Sequence, residues 1–413
     1  MQITSVFQTN MIPFFKPKYN PDYIVEIEEV LKSGWITTGP KTKLFESQLT
    51  EYCGNKKTLC VNAATNGLEL ILRWYGVGEG DEVILPAYTY CATANVVIHC
   101  GAKPVFVDID DNFNISAKLI RKKINKKTKV IMPVDFAGFP CDYDAINRLA
   151  TNKDVKSLFS PSSPEQEKLG RVLILSDAAH SIGATYKGKR TGSLTDVSVF
   201  SFHAVKNLTT AEGGAICLNF PKNFNNEDIY KSLNAMSLHG QSKDALAKNK
   251  GGDWKYDVNT AGYKCNMTDL QAALGLVELR TYESDNLPLR KKQFDLYSEL
   301  LSGYDWAILP IYENKDACSS FHVYPLRIKG VNENERDAII QHIFAEDVSV
   351  NVHFRPVPML SYYQKAGYTM EGLTNTYKNF SQEITLPVYS DLSDEDIKQI
   401  VGTVAAAVEK VIQ

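Results

Sequence analysis

Between residue 58 and about residue 220 the chain alternates short apolar, β-branched runs with helical stretches, and this alternation limits the folds open to it. The strand-like runs lie at 58–62, 82–86, 104–108, 128–134, 171–176, 196–202 and 215–219. Runs that are apolar throughout belong to strands covered on both faces, and most of the gaps between them are long enough for crossover helices. The expected architecture is α/β: a large, mostly parallel seven-stranded sheet flanked by helices. Residues 151–170 break the pattern, being polar and carrying Pro161 and Pro164, and read as a surface insertion.

Upstream, Asn20-Pro21 opens a helix striped by Tyr23, Ile24, Ile27, Val30 and Leu31 and stopped at Gly34; a second helix reaches Cys53, with Gly54 as its stop. Thr268-x-x-Gln271 is a capping box for a further helix. Near residue 290 the pattern changes. Strands are expected at Phe321–Ile328 and 347–353, and helices at about 334–345 and 393–412, the last striped by Ile397, Ile400, Val401, Val404 and Val408. This divides the chain into a large domain with an N-terminal arm, 1–289, and a small C-terminal α+β domain, 290–413.

The 413 residues carry 45 Lys and Arg against 48 Asp and Glu, a net charge of −3 that provides no basic footprint for nucleic acid. Eight cysteines without a C-x-x-C pair read as reduced core thiols, and seven dispersed histidines predict no metal site. Met1-Gln-Ile-Thr-Ser5 lacks the basic-then-apolar order of a signal peptide, and no window of about 18 residues is apolar and uncharged. A cytoplasmic protein that binds neither membrane nor nucleic acid is expected.

The chemistry concentrates in two strand ends. Val197, Val199 and Phe200 form a buried run that ends in a polar turn with Ser201, His203 and Lys206 before Gly213-Gly214 reopens an apolar run. On residue type alone Lys206 reads as a stem packed on apolar surface with its ammonium in water. Upstream, however, Val172-Leu-Ile-Leu-Ser176 delivers Asp177 to a strand's end, where α/β sheets place ligand groups. An imine-forming lysine and an acid to hold a pyridinium nitrogen are the pair that pyridoxal 5'-phosphate (PLP) chemistry needs.

Asp177-Ala-Ala-His180 with Gly183, Gly188 and Gly192, then Phe200-Ser-Phe-His-Ala-Val-Lys206 with Glu212-Gly-Gly214, resembles the DegT/DnrJ/EryC1/StrS nucleotide-sugar aminotransferases. The likeness extends to Ser33-Gly34-Trp35, Phe45-Glu46, Gly80, Pro86, Thr89-Tyr90, Gly262-Tyr263, Gln271 and Leu386-Pro-Val388. It implies a fold-type-I PLP transferase, like aspartate aminotransferase, working as a homodimer with shared active sites.

The resemblance also implies roles. Lys206 binds PLP as an imine and moves the proton between substrate carbon and cofactor. Asp177 pairs with the pyridinium nitrogen, although alone it reads as a helix cap. His180 lies near the ring's phenolic oxygen or is structural. Tyr90 stacks on the ring or fills the core. Ala64, Thr65 and Asn66, at a strand-to-helix turn, hold the phosphate with Ser201. At Lys264 the family more often has Asn, and at Asn266 a basic residue; Lys264 is therefore expected at the phosphate of the neighbouring subunit and Asn266 on the sugar side. His353 is expected near the nucleotide-sugar, or as a buried strand histidine.

The implied reaction is transfer of the amino group of L-glutamate to the keto carbon, at C4, of a nucleotide-linked keto-deoxyhexose, with UDP-2-acetamido-2,6-dideoxy-4-hexulose preferred. Rival readings are a catalytically silent PLP-binding regulator and an amino-acid aminotransferase, which needs an arginine clamp not identified here. A sugar dehydratase on the same scaffold is disfavoured, since those relatives carry histidine at the position of Lys206.

Overall fold

The structure, a computed structural model, describes residues 11–242 and 255–412; the opening Met1–Ser5 stretch lies outside the described residues. Among these residues seven strands form one sheet in the order Lys57–Val61, Gly214–Leu218, Val197–Ser201, Leu173–Asp177, Thr128–Ile131, Glu82–Pro86, Lys103–Val107. All seven coincide with apolar runs in the sequence. Gly214–Leu218 is antiparallel to both neighbours, because it returns directly from Val197–Ser201 through the loop that carries Lys206. The other pairings are parallel. One edge of the sheet thus collects the C-terminal ends of several strands together with that loop, the place where α/β folds build sites.

Helices Ala64–Trp74 and Cys91–His99 cover one face with Leu68, Leu70, Ile71, Val96 and Val97, packed on Val61, Val83, Leu175 and Ile216. Each such side chain, fully buried, contributes roughly 1.5–3 kcal/mol of hydrophobic stabilisation. A second, antiparallel sheet is ordered Ala307–Ile308, Tyr324–Ile328, Glu383–Leu386. Helices Leu287–Leu301, Glu333–Ala345 and Asp394–Ile412 share its apolar core, the last through Ile397, Ile400, Val401, Val404 and Val408.

The helix stops follow the sequence: Gly34 and Gly54 take φ of 76° and 69°, a left-handed conformation that costs glycine little. The Thr268–Gln271 capping box forms with both hydrogen bonds. One expectation is corrected and one refined. Residues 347–353 make only isolated bridges, Val348 to Ile12 and Asn351 to Thr385, so they form no strand. The 151–170 segment lies mostly exposed, as expected of a surface insertion, but it is folded. It folds into helices Lys153–Leu158 and Pro164–Leu169, and the wholly buried Gln166 donates its amide to the Tyr75 carbonyl at 3.0 Å.

All eight cysteines are free thiols, six of them buried. Among the described residues no helix is long and apolar enough to cross a membrane.

Candidate active site

At the strand-end edge lies a cavity of about 410 Å³. Its wall includes Ala64, Thr65, Tyr90, Asp177, His180, Ser201, Lys206 and His353, so the structure brings together most of the residues singled out in the sequence. Asn66, Lys264 and Asn266 are not part of that wall. Asn66 turns its amide to Asn62 at 2.7 Å, Lys264 is exposed, and Asn266 donates to the Thr38 hydroxyl at 2.7 Å.

Lys206 sits in the loop between the strands Val197–Ser201 and Gly214–Leu218. The loop closes on itself through Phe202 N–H to the Gly213 carbonyl and Thr210 N–H to the Phe202 carbonyl, both at 2.9 Å. Gly214 allows this closure to seat against the next element: a Cβ there would stand 2.6 Å from the Ala64 nitrogen. Burial lowers the Lys206 pKa to about 8, while the Asp177 carboxylate pulls it upward. About a tenth of the amine is therefore a free nucleophile at pH 7, far more than for an ordinary lysine.

Asp177 ends the strand Leu173–Asp177 and is buried, which raises its pKa. Opposing that shift, its carboxylate accepts hydrogen bonds from Thr93 Oγ1 at 2.8 Å and the Ala179 N–H at 3.2 Å, and it faces Lys206. His180 is buried three residues on, and burial, then Lys206 and His353, hold it well below the usual histidine range. It is a neutral imidazole. Its ring lies 4.3 Å from that of His322, another cavity-lining residue, which the sequence did not mark.

The helix Ala64–Trp74 starts at the cavity without a side-chain cap, so its first N–H groups lack intrahelical acceptors and face the space beside Thr65 and Ser201. Tyr90 is 60% exposed, its ring 5.8 Å from Phe354. Phe354 in turn stands 5.9 Å from the His180 ring, which makes this wall aromatic. His353 presents Nδ1 to Thr385 Oγ1 at 3.0 Å and is stacked on Phe14 at 5.6 Å. No local pattern marked Phe14, His322 or Phe354: each is an ordinary apolar or strand residue until the fold places it here.

These residues fit PLP. The cavity has an acid at one point, a partly neutral lysine, an uncapped helix start with two hydroxyls for a phosphate, and His180 Nδ1, a buried polar atom with no protein partner. An unsatisfied buried nitrogen is costly, and a ligand oxygen would satisfy it.

The sequence profile of the DegT/DnrJ/EryC1/StrS aminotransferase family matches residues 17–160 and 166–405. The spore coat polysaccharide biosynthesis protein SpsC of Bacillus subtilis is 34% identical over 405 residues, covering 96% of this chain and 97% of the relative. The putative sugar aminotransferase Spr1654 of Streptococcus pneumoniae, solved in its PMP form, is 44% identical with a TM-score of 0.93, covering 97% of this chain and 100% of that one. Its PLP form also superposes at 0.93. Helicobacter pylori PseC, an aminotransferase involved in pseudoaminic acid biosynthesis, is 26% identical with a TM-score of 0.85 over 97% of this chain and 100% of its own. With the profile spanning nearly the whole chain and the cavity furnished for the cofactor, this chain belongs to the DegT/DnrJ/EryC1/StrS aminotransferase family, whose members depend on PLP.

Proposed function

We propose that this protein transfers the amino group of L-glutamate to C4 of a nucleotide-linked keto-deoxyhexose, with UDP-2-acetamido-2,6-dideoxy-4-hexulose the preferred substrate, and that it acts as a homodimer with shared active sites. The observation that carries the reading is Lys206, an amine lowered to about 8 by burial in a cavity it shares with Asp177. The names of relatives, tied to spore-coat polysaccharide and to pseudoaminic acid, support a sugar acceptor.

In this reading Asp177 holds the pyridine nitrogen of PLP, His180 contacts the ring, Tyr90 stacks on it, and Ala64, Thr65 and Ser201 bind the phosphate, Asn66 adding its main-chain N–H because its side chain is turned to Asn62. PLP supplies an electron sink for a bound carbon. Lys206 then works as the base and acid: its Nζ removes the proton from the α-carbon of glutamate and later delivers one to C4 of the sugar. The face from which Nζ approaches sets the configuration at C4. Lys264, exposed on this chain, reaches the phosphate in the partner's site, with Asn266 and His353 on the sugar side. Residues 1–289 form the large PLP-binding domain with its N-terminal arm and 290–413 the small C-terminal domain.

Incubation with glutamate and a panel of UDP-, dTDP- and GDP-linked ketosugars, followed by mass analysis, tests the reading. An amino sugar from the UDP substrate is expected, together with borohydride fixation of PLP to the peptide containing Lys206. Failure to aminate any member of the panel, under conditions where Lys206 is fixed, sinks it.

A further inference from the structure

Glu383 starts the strand Glu383–Leu386 and is wholly buried. Two arginines lie near it but direct their donors elsewhere. Arg336 binds the main-chain carbonyls of Phe380 and Glu383 and the Asp337 carboxylate, and Arg327 binds Asn379. Tyr88 is a further titratable neighbour, beside His353. The Glu383 carboxylate itself meets the His353 main-chain N–H at 3.0 Å through Oε2 and the Thr385 hydroxyl through Oε1.

Thr385 Oγ1 is also 3.0 Å from His353 Nδ1, so carboxyl, hydroxyl and imidazole form one chain that ends in the cavity. Nδ1 being engaged, Nε2 is the ring nitrogen left for a cavity ligand. The ring is held on its face as well, since Phe14 stacks on it at an interplanar angle of 26°. Phe14 is anchored in turn by the pairing of Ile12 with Asp347 and Ser349, at 2.8 and 2.9 Å.

Two proton arrangements share these heavy-atom positions. With Glu383 ionised, Thr385 donates to it and accepts from His353 Nδ1–H, leaving a lone pair on Nε2. With Glu383 protonated, its O–H donates to Oγ1, the Thr385 hydroxyl donates to Nδ1, and Nε2 carries the proton. None of the other histidines of the wall joins a buried carboxyl: His322 Nδ1 meets the Asn207 amide oxygen, His180 Nδ1 meets no protein group, and the exposed His203 faces the equally exposed Glu212 carboxylate at 3.6 Å.

Resting on the aminotransferase reading above, we infer that Glu383, Thr385 and His353 form a proton relay whose outer end, His353 Nε2–H, protonates the oxygen leaving the substrate's keto carbon as water. The Nε2–H bond breaks as the O–H bond forms, the Thr385 proton moves to Nδ1, and the Glu383 proton moves to Oγ1. One proton leaves the relay, Glu383 ends as a carboxylate, and no electrons are exchanged. In the half-reaction with glutamate, water adds to release the oxo-acid and returns the proton by the reverse path. His353 is held neutral by burial and by Lys206, at about 3, so it conducts by tautomer exchange. Burial raises Glu383 to about 8 against the pull of Thr385, Arg336, the His353 N–H and Arg327, which makes it a proton store near neutral pH.

The test follows the ring-nitrogen resonances of His353 in histidine-labelled protein, with and without PLP, as pH is varied. A change of tautomer with a midpoint near pH 8 is expected, abolished in Glu383→Gln and Thr385→Val and retained in Thr385→Ser. In turnover, Thr385→Val lowers kcat about 10²-fold with KM changed less than about threefold and loses the alkaline limb, and Thr385→Ser recovers both. Should Glu383→Gln not fold, the threonine pair decides alone. A single His353 tautomer throughout the pH range of folding, or a Thr385→Val enzyme with the parent's kcat and pH profile, overturns the relay. Tautomer exchange in a protein that aminates no ketosugar overturns the functional reading and the assigned oxygen with it. Amination without tautomer exchange overturns the relay alone.

Discussion

Asn207, the residue after Lys206, accepts a hydrogen bond from His322 Nδ1 at 2.8 Å while its own amide donates to the Ser320 carbonyl at 2.6 Å. Its main-chain carbonyl accepts from Asn286 at 2.8 Å. Arg290, whose pKa burial lowers to about 10, fixes the other side of this contact by donating to the carbonyls of Phe321 and His322, each at 3.1 Å. The backbone that aims the lysine is thus held by segments roughly a hundred residues further along the chain.

Asn207→Ala removes two of those bonds and leaves His322 Nδ1 unpaired. Losing about 1–3 kcal/mol of positioning should lower kcat roughly tenfold and displace the pH midpoint of Lys206, while the protein still binds PLP. Steady-state kinetics and a pH titration of the amine check this; an unchanged midpoint and kcat would show the clamp to be structural only.

Amine reactivity of the cofactor-free protein should be half-maximal near pH 8 at Lys206, because burial lowers its pKa from 10.5. The neutral, reactive form grows as pH rises through that value. Since Asp177 acts in the opposite sense, Asp177→Asn should move the midpoint further down. Lys206→Ala should cost at least about 10³-fold in kcat. Peptide mapping of a pH series of reagent labelling reads both midpoints.

Asp269 supplies from a distant helix the cap that Gly39 cannot. It is buried and accepts from the N–H groups of Gly39, Lys41 and Thr42 at 2.7, 3.0 and 2.9 Å, opening the helix Pro40–Cys53. Asp269→Ala leaves these donors unpaired and should destabilise the protein by about 2–4 kcal/mol, with Asp269→Asn intermediate. Chemical denaturation of the two variants decides.

Gln166 joins the 151–170 segment to the body through the Tyr75 carbonyl and accepts the Ser162 N–H at 2.9 Å. Gln166→Ala should cost about 1–3 kcal/mol locally and open the segment to proteolysis, leaving turnover within about twofold. Limited digestion with mass mapping tests it; equal resistance in both proteins would mean that other contacts hold the helices.

The polar composition of that segment hid its fold, because a single buried glutamine that satisfies a carbonyl has no periodic signature. The reverse happened at 347–353, where β-branched residues promised a strand but Val348 and Asn351 found only isolated partners. A run of apolar residues records that a segment is buried; pairing depends on what lies alongside.

Residue order alone determined the seven-stranded sheet, the helix stops and the strand-end positions of Asp177 and Lys206, because burial periodicity and turn chemistry act over a few neighbours. Only the tertiary structure decided what surrounds them: Phe14 on His353, His322 against Asn207, Glu383 on the His353 main-chain N–H. Those partners are separated by some 30 to 340 residues in pairs such as Glu383–His353 and Phe14–His353, and no local pattern records contacts made by packing two sheets and their helices around one cavity.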